Sequence, residues 1–430
     1  MRTVRRLGGP SVFLSNVAKK PLDWYYSYMD KNLEIQIDGI LDRGVLADFL
    51  PTKKEFRDEL LSGKKLRFYM GFDPTAKSLH LGHAQGLMIL EDFRKLGHEV
   101  IFLIGDFTGM IGDPSDKSSA RIKQTPEQVR ENFALWKNQV KNIANFEDSE
   151  NPFQIKYNSE WLGRLNFAEV LELASNFTVQ QMLERDMFSK RLKEEKPIYI
   201  HEFMYPLMQG YDSVAMDVDV ELCGTDQIFN ALAGRTLMQK LKNKNKFVVS
   251  AKLIADEKTG MLMSKSNGTG VFLDLDANNL FGAIMSQSDG MLRPLFVGCT
   301  RLTLDEIEKL MGLENPRDAK VALAHEIVRI YHGEAEAEKA KEYFVRTISN
   351  KEIPTEVVEV VVNREEIKIV EFLVLAGLAK SNGEARRKIE QGGLEINEVR
   401  EGDWQRMLNK NDDSAVFKVG KFGFAKIKFE

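Results

Sequence analysis

Two histidines, three residues apart, stand where an apolar segment of the chain gives way to an amphipathic one. Residues 66–72 are mostly apolar, and the motif His80-x-Gly82-His83 follows after a polar loop. This order predicts a strand, a turn and the start of a helix. The first N–H groups of a helix lack partners and carry partial positive charge, and Gly82 lets a ligand approach the backbone. The stretch therefore predicts a nucleoside triphosphate site, with a histidine pair that only fills the core as the alternative.

A lysine between two serines lies in a second segment, residues 256–270, which is rich in Lys, Ser and Gly. Lys265 can reach a polyphosphate while the hydroxyls of Ser264 and Ser266 hold other oxygens. Alone, this pattern is just as typical of a solvated loop. The pattern becomes informative because two loops occur in order along the chain. His-x-Gly-His follows an early predicted strand, and the Ser-Lys-Ser loop follows the last one.

A third polar pattern lies on a predicted helix. Tyr205, Gln209 and Asp212 recur at positions i, i+4 and i+7, which places them on one helix face. They can line a pocket for a polar ligand, and a stripe that faces solvent explains them equally well.

The elements that must position these residues alternate along the chain. Apolar runs at 66–72, 100–104, 153–157, 218–222 and 247–253 are separated by helical patterns. This alternation predicts an α/β fold with a parallel sheet buried on both faces. Residues 23–63 are predicted to be helical, including 35–50, and residues 178–193 are predicted as a helix. The predicted domains are 1–32 (basic leader), 33–277 (catalytic), 278–349 (helical), 350–366 (linker) and 367–430 (small α+β).

Composition narrows the class of protein. The chain has 430 residues, a net charge of −4 and two cysteines. These features predict a reducing cytoplasm, no disulfide framework and no structural metal, while the lack of a long apolar run predicts no membrane span. The first twenty residues are basic and contain no acid, which is typical of a transit peptide or a disordered leader. An acidic chain can bind nucleic acid only through a local basic face.

The motifs together resemble the bacterial tyrosyl-tRNA synthetases, which are class I aminoacyl-tRNA synthetases. The resemblance rests on the two loops above and on Tyr69-x-Gly71-Phe72-Asp73-Pro74-Thr75, Gly112-Asp113-Pro114-Ser115, Tyr205-x-x-x-Gln209-x-x-Asp212 and Gly224-Thr225-Asp226-Gln227. It implies a Rossmann-like nucleotide-binding catalytic domain, a helical anticodon-side domain and an S4-type RNA-binding domain. It also implies a homodimer that acts on ATP, L-tyrosine and tRNA(Tyr).

The resemblance assigns a tyrosine pocket. It implies that Tyr69 and Asp212 hold the phenol hydroxyl, that Tyr205, Gln209 and Asp113 hold the amino group, and that Asn158 and Gln227 also contribute. An analogue without the hydroxyl would leave buried polar groups unpaired, a form of selection for which this enzyme family is itself the usual example.

The implied reaction is attack of the tyrosine carboxylate on the α-phosphate of ATP, followed by transfer of the tyrosyl group to the 3′ end of the tRNA. Positioning and charge stabilisation would carry the rate, with Mg²⁺ bound to ATP. The residues implied for catalysis are Thr75, His80, His83, Lys117, Arg121 and Lys265. Those implied for ATP binding are Gly71, Asp73, Gly82, Gly224, Asp226, Ser264 and Lys265.

Two positions depart from the family pattern. Leu262 stands where the signature loop usually has Lys, so one cation is missing unless Lys258 replaces it. Cys223 stands where Gly is usual, and we expect its side chain to narrow the space beside the adenosine. These departures leave open a non-catalytic RNA-binding protein on a synthetase scaffold. A tryptophan–tRNA ligase is a further alternative, although the Tyr69 and Asp212 pair disfavours it.

The tail carries the local basic face. Arg386, Arg387 and Lys388 lie on a predicted helix before a Gly-Gly turn and a strand. Residues 367–430 resemble an S4-type domain, and this pattern predicts binding to structured RNA. A solvated helix face is the alternative, because glutamates are interspersed among the cations.

Overall fold

The structure is a computed structural model that describes residues 22–74, 76–112, 125–264, 268–346, 359–420 and 423–430. The chain forms two compact units, residues 1–254 and residues 255–430. None of the described helices is long and apolar enough to cross a membrane.

A six-stranded sheet forms the centre of the first unit. Its strands are β1 (Leu46–Leu50), β2 (Arg67–Phe72), β3 (Glu99–Ile104), β4 (Gln154–Tyr157), β5 (Val220–Gly224) and β6 (Phe247–Ala251). They lie in the order β1-β6-β5-β2-β3-β4, and every pair is parallel except β1 with β6. The predicted α/β class with its parallel sheet is confirmed.

Eleven helices of the first unit lie within the described residues. They are α1 (Leu22–Leu41), α2 (Lys53–Leu61), α3 (Leu81–Lys95), α4 (Thr108–Ile111), α5 (Pro126–Val140), α6 (Ser159–Leu162), α7 (Phe167–Ala174), α8 (Val179–Leu183), α9 (Asp186–Lys193), α10 (Ile200–Met216) and α11 (Ile228–Lys242). The helix predicted over 178–193 is two helices, because Arg185 has an extended backbone (φ −61°, ψ 126°) that ends the first.

The prediction of helix over residues 35–50 is wrong in its last part, which forms β1. Ile37, Leu41 and Val45 are buried at helical spacing, so the apolar period runs on past the true end of α1. Beyond the end of α1 at Leu41, Gly44 adopts a φ of 92°, a conformation that favours glycine, and the chain turns toward the sheet. Leu46 then pairs with Ala251 of β6. Pairing with a strand about 200 residues away decides the conformation here.

The strand order creates a crevice at the carboxyl edge of the sheet. The chain passes from β2 outward to β3 and β4, then returns to the other side of β2 as β5 and β6. Ligands of open α/β sheets bind where the order reverses in this way. The loops that follow β2, β3, β4 and β5 all open at this edge, so it is where the predicted site residues should meet.

The second unit contains a helical segment followed by short strands. Its helices are α12 (Ala277–Met285), α13 (Leu292–Cys299), α14 (Leu304–Met311), α15 (Pro316–His332), α16 (Glu334–Phe344), α17 (Ile369–Leu375) and α18 (Asn382–Glu390). Its strands are β7 (Glu359–Val362), β8 (Glu366–Lys368), β9 (Leu394–Ile396), β10 (Val399–Arg400), β11 (Met407–Asn409), β12 (Val416–Val419) and β13 (Gly423–Phe429). Five of these form one sheet in the order β10-β9-β12-β13-β7, and β11 pairs with β8.

A buried histidine makes the stability of the first unit depend on pH. His98 is 5% exposed, its Nδ1 accepts a hydrogen bond from the Leu66 N–H at 3.2 Å, and burial, with the charge of Lys65, lowers its pKa to about 4. Above pH 6.5 both the folded and the unfolded states are neutral at this position. As the pH falls toward 4 only the unfolded state takes up the proton, so His98 should lower the free energy of unfolding by about 2 kcal/mol at pH 5.

The variant His98→Asn tests this linkage, because an Asn carbonyl can still accept from Leu66. Urea unfolding at pH 7 and pH 5 should show a smaller loss of stability for the variant than for the wild type. Equal losses in the two proteins would contradict the buried, neutral state of His98.

Candidate active site

The loop after β2 is tied to two neighbouring elements through one carboxylate. Asp73 Oδ1 accepts from Thr108 Oγ1 of α4 at 2.8 Å, and Asp73 Oδ2 accepts from the Tyr205 hydroxyl of α10 at 3.0 Å. Gly105 is required beside them, since a Cβ there would collide with the Asp73 carboxylate. The structure therefore brings Asp73 and Tyr205 together, and sequence reasoning missed Thr108 and Gly105.

The two histidines cap the N-terminus of α3. His80 Nδ1 accepts from the Gly82 N–H at 3.1 Å, His83 Nδ1 accepts from the His80 N–H at 3.2 Å, and the two rings stack 3.8 Å apart. Burial lowers the pKa of His80 to about 4, and burial with the charge of His80 lowers the pKa of His83 to about 3. Both rings are therefore neutral at pH 7, and because Nδ1 accepts, Nε2 carries the proton in each. The pair offers hydrogen-bond donors rather than cations.

A buried carboxylate lies deeper at the same edge. Asp212 is 2% exposed, and it accepts from Trp161 Nε1 at 2.7 Å and from Asn158 Nδ2 at 3.3 Å. Burial raises the pKa of Asp212, and these two hydrogen bonds oppose the rise. Tyr205 is also buried, so the interpretation of the α10 residues as a solvent-facing stripe is wrong. Trp161 follows β4 and carried no signal in the sequence.

The Tyr69 side chain is buried near Asp212, but its hydroxyl forms a hydrogen bond with Ser213, the residue that follows Asp212 in the chain. The Tyr69 hydroxyl lies 2.9 Å from Ser213 Oγ. Burial, with the charges of Glu221 and Asp212, raises the pKa of Tyr69 well above its usual value. The phenol therefore keeps its proton, and sequence reasoning missed Ser213.

Gln209 and Gln227 belong to a chain of amide contacts on the β5 side. Gln209 Nε2 donates to Glu221 Oε1 at 2.9 Å, and Asn230 Nδ2 donates both to Gln209 Oε1 at 3.0 Å and to Gln227 Oε1 at 2.8 Å. Sequence reasoning missed Glu221 and Asn230, because neither lies in a recognisable motif.

The turn after β5 holds Gly224 and Asp226 close together. A Cβ on Gly224 would collide with Oδ1 of Asp226, so a larger residue here would displace the Asp226 side chain. The expectation for Cys223 is wrong, because its side chain is 4% exposed and packs in the core with Ala231 and Val248. Gly71 is the last residue but one of β2, and a Cβ added there would lie 3.7 Å from Leu103 Cδ2, an ordinary van der Waals contact.

Several predicted site residues lie outside the described part of the first unit. Five lie outside the described residues, namely Thr75, Asp113, Lys117, Arg121 and Lys265. Ser264 belongs to the second unit, where its N–H donates to Thr269 Oγ1 at 3.1 Å. Leu262, also there, is 40% exposed and bridges to Ala255.

Comparison with known proteins decides the family. Residues 61–349 match the family model of the class I tRNA synthetases for W and Y, and residues 349–421 match the SYY-like C-terminal domain of tyrosine–tRNA ligase. The tyrosine–tRNA ligase of Geobacter metallireducens is 43% identical over 402 residues, which cover 91% of this chain and 98% of the relative. The chain belongs to the tyrosine–tRNA ligase family. The ligase of Aquifex aeolicus is 42% identical over 87% of this chain and 94% of its own length.

Solved structures of the tyrosine–tRNA ligase family share the fold. A truncated mitochondrial tyrosyl-tRNA synthetase from Coccidioides posadasii has a TM-score of 0.59 at 23% identity, over 76% of this chain and 98% of its own. The Archaeoglobus fulgidus synthetase, solved with L-tyrosine, has a TM-score of 0.55 at 19% identity, over 72% and 99%. Relatives that span most of the chain do not favour the non-catalytic or tryptophan alternatives.

Proposed function

We propose that this chain activates L-tyrosine with ATP, releases pyrophosphate, and transfers the tyrosyl group to the 3′ end of tRNA(Tyr). The observation that carries the proposal is the pair of neighbouring buried side chains Asp212 and Tyr69. Asp212 is an acceptor and Tyr69 a donor, and a phenol hydroxyl needs one of each. A phenylalanine ring would offer neither a donor to Asp212 nor an acceptor to Tyr69, at a cost of about 0.5–1.5 kcal/mol for each hydrogen bond that is lost.

The amino group of the substrate is bound nearer the nucleotide. The Tyr205 hydroxyl donates its proton to Asp73, which is a predicted nucleotide ligand, so the Tyr205 oxygen can accept a hydrogen bond from an ammonium group. Gln209 Oε1 accepts one bond from Asn230 and has a second lone pair for the substrate. Asp113, outside the described residues, would complete this contact.

The chemical step requires no side-chain nucleophile. The tyrosine carboxylate oxygen forms the new bond to the α-phosphorus, and the bond to the bridging oxygen breaks, so that pyrophosphate leaves with its electron pair. Negative charge on the phosphate oxygens increases toward the transition state. The Nε2–H groups of His80 and His83 and the N-terminus of α3 would stabilise that charge, because neutral, fixed donors need no reorganisation.

The nucleotide contacts and the metal follow from the same geometry. We propose that the nucleotide contacts Gly71 near the end of β2, Gly82 at the start of α3, and Gly224 and Asp226 after β5. The roles of Ser264 and Lys265 stay predictions. Mg²⁺ would enter with ATP, held mainly by phosphate oxygens and water, and would neutralise charge on the leaving pyrophosphate. Among the described residues, no group of three metal-ligating side chains lies at this edge.

The partner in the assembly is proposed to be a second copy of the chain. Large apolar side chains are exposed on helices α7 to α10, which lie between β4 and β5 along the chain. They include Phe167, which is 77% exposed, and Ile200, which is 79% exposed. Such exposure on successive helices fits a covered surface, and sedimentation equilibrium would detect a mass twice that of one chain. The free, buried cysteines Cys223 and Cys299 fit the reducing cytoplasm as location.

RNA binding is proposed for the α18 face. Arg386 stacks on Trp404 at 4.2 Å and pairs with Glu390, and Lys388 pairs with Glu384. Arg387 is exposed and forms no ion pair with any described residue. We therefore expect Arg387 to be the cation most available to phosphate.

Arg387→Glu should weaken tRNA binding about tenfold, because one phosphate contact is lost and a like charge replaces it. The slope of log K against log salt should become shallower by about one. Filter binding at several salt concentrations measures both quantities. Arg364→Glu, the same charge change at an exposed site in the second unit, is the control. An unchanged slope for Arg387→Glu would contradict the assignment.

A charging assay tests the whole proposal. The wild-type chain with ATP, Mg²⁺, labelled tyrosine and a tRNA(Tyr) transcript should yield an ester on the 3′ ribose that is labile to base. A chain that binds the transcript without forming this ester would instead support the non-catalytic alternative.

A further inference from the structure

A fully buried lysine lies beside the predicted phenol pocket, and the mechanism above does not use it. Lys246, just before β6, is 0% exposed, and it forms an ion pair with Glu221 of β5, which is 2% exposed. A buried ion pair contributes little or nothing to stability compared with apolar residues of the same size. Its presence therefore invites a functional explanation.

The space for the ammonium group is built into α11. A Cβ added at Gly234 would lie 2.5 Å from Lys246 Nζ and 2.8 Å from Ser213 Oγ. Helix α11 can pass this close only because the residue is glycine. The contact that results is specific: Lys246 Nζ donates to Ser213 Oγ at 2.9 Å. Nζ also lies 5.9 Å from the centroid of the Tyr69 ring.

The lysine fixes the direction of the next hydrogen bond. An ammonium group can only donate, so Ser213 Oγ accepts from Lys246 and must place its own proton elsewhere. Two acceptors are near Ser213 Oγ: the Tyr69 hydroxyl at 2.9 Å and Glu221 Oε2 at 3.4 Å. The Tyr69 hydroxyl is at normal hydrogen-bond distance, whereas the carboxylate is distant and already engaged by Lys246. Tyr69 then accepts from Ser213, and its own proton can go to Glu221, which is also within reach, or to an oxygen of the substrate.

We propose that Lys246, held by Glu221, positions the Ser213 and Tyr69 hydroxyls so that Tyr69 donates its proton to the phenol oxygen of the substrate. Lys246 and Ser213 are positioning residues, and they increase the selection of tyrosine over phenylalanine. This inference rests on the proposed function. It assigns a role to two residues that do not touch the substrate but position Tyr69, which does.

Two variants separate this role from a purely structural one. Ser213→Ala removes the relay and leaves the ion pair intact. The double variant Glu221→Gln/Lys246→Met removes both charges together, so that neither is left buried and unpaired. Lys244→Gln is the matched control, since Lys244 lies two residues from Lys246 but pairs with Asp219 at 3.0 Å and remains partly exposed.

The measurement is ATP–pyrophosphate exchange with tyrosine and with phenylalanine. In both variants kcat/KM for tyrosine should fall roughly ten- to hundredfold, through KM, because Tyr69 no longer donates reliably. The value for phenylalanine should change less than about threefold, and KM for ATP should stay the same. Lys244→Gln should match the wild type.

The inference is overturned if the wild type is active and Ser213→Ala has the same ratio of kcat/KM for tyrosine to kcat/KM for phenylalanine as the wild type. An equal fall for both amino acids would also overturn it, as it would reveal a structural role. A wild type that shows no exchange with tyrosine would overturn the proposed function and the inference together, so the two failures are distinguishable.

Discussion

Replacing Asp212 by alanine should lower kcat/KM for tyrosine by about 10²–10³, with a much smaller effect on phenylalanine. The carboxylate is buried and accepts from Trp161 and Asn158. Without it, these two donors and the substrate hydroxyl lose their acceptor. A buried donor that is left unpaired costs about 1–3 kcal/mol.

Steady-state exchange with each amino acid measures the effect of Asp212→Ala. The control is Asp106→Asn, which alters a carboxylate near the same edge that binds the Ser159 N–H at 2.9 Å. The control should retain the wild-type ratio of kcat/KM for tyrosine to kcat/KM for phenylalanine. Parallel losses for both amino acids in Asp212→Ala would show that the carboxylate supports the fold and does not read the hydroxyl.

Replacing His83 by asparagine should slow the formation of tyrosyl-adenylate about 10²–10³-fold, while KM for tyrosine changes less than about threefold. Asn can still accept from the His80 N–H and keep the cap, but it loses the donor that His83 places at Nε2. Removal of one preorganised donor has this order of effect in other enzymes. Single-turnover kinetics isolates the chemical step, and His201→Asn, an exposed histidine, is the control.

The same pair makes a pH prediction for the chemical step. With pKa values of about 4 and about 3, His80 and His83 stay neutral from pH 6 to pH 8. Protonation begins only as the pH approaches 4, so these residues should give no step in the rate above pH 6. A limb near pH 6.5 in the wild type that is absent in His83→Asn would contradict neutral donors.

Local patterns were enough to predict the elements that build the site. The strand at β2, the helix start at His80 and the helix of α10 each depend on residues within one or two turns of one another. Where the deciding contact is distant, local patterns fail. The helical spacing of apolar residues in α1 continues into β1, so the sequence predicts a helix that is too long. Only the pairing with β6 reveals the strand.

The deeper part of the site could not be predicted for the same reason. Tyr69 and Ser213 are 144 positions apart, and neither spacing nor residue type connects them. Lys246 ends a segment with alternating lysines at 240, 242, 244 and 246, all alike in the sequence. Only the fold shows that Lys246 is the buried one, because the space for its ammonium group lies beside Gly234, earlier in α11.

The most direct test of the central claim is ATP–pyrophosphate exchange by the wild-type chain with each of the twenty amino acids. The buried pair of Asp212 and Tyr69 predicts exchange with tyrosine, far above that with phenylalanine or tryptophan. Exchange with no amino acid, or with tryptophan in place of tyrosine, would contradict the account.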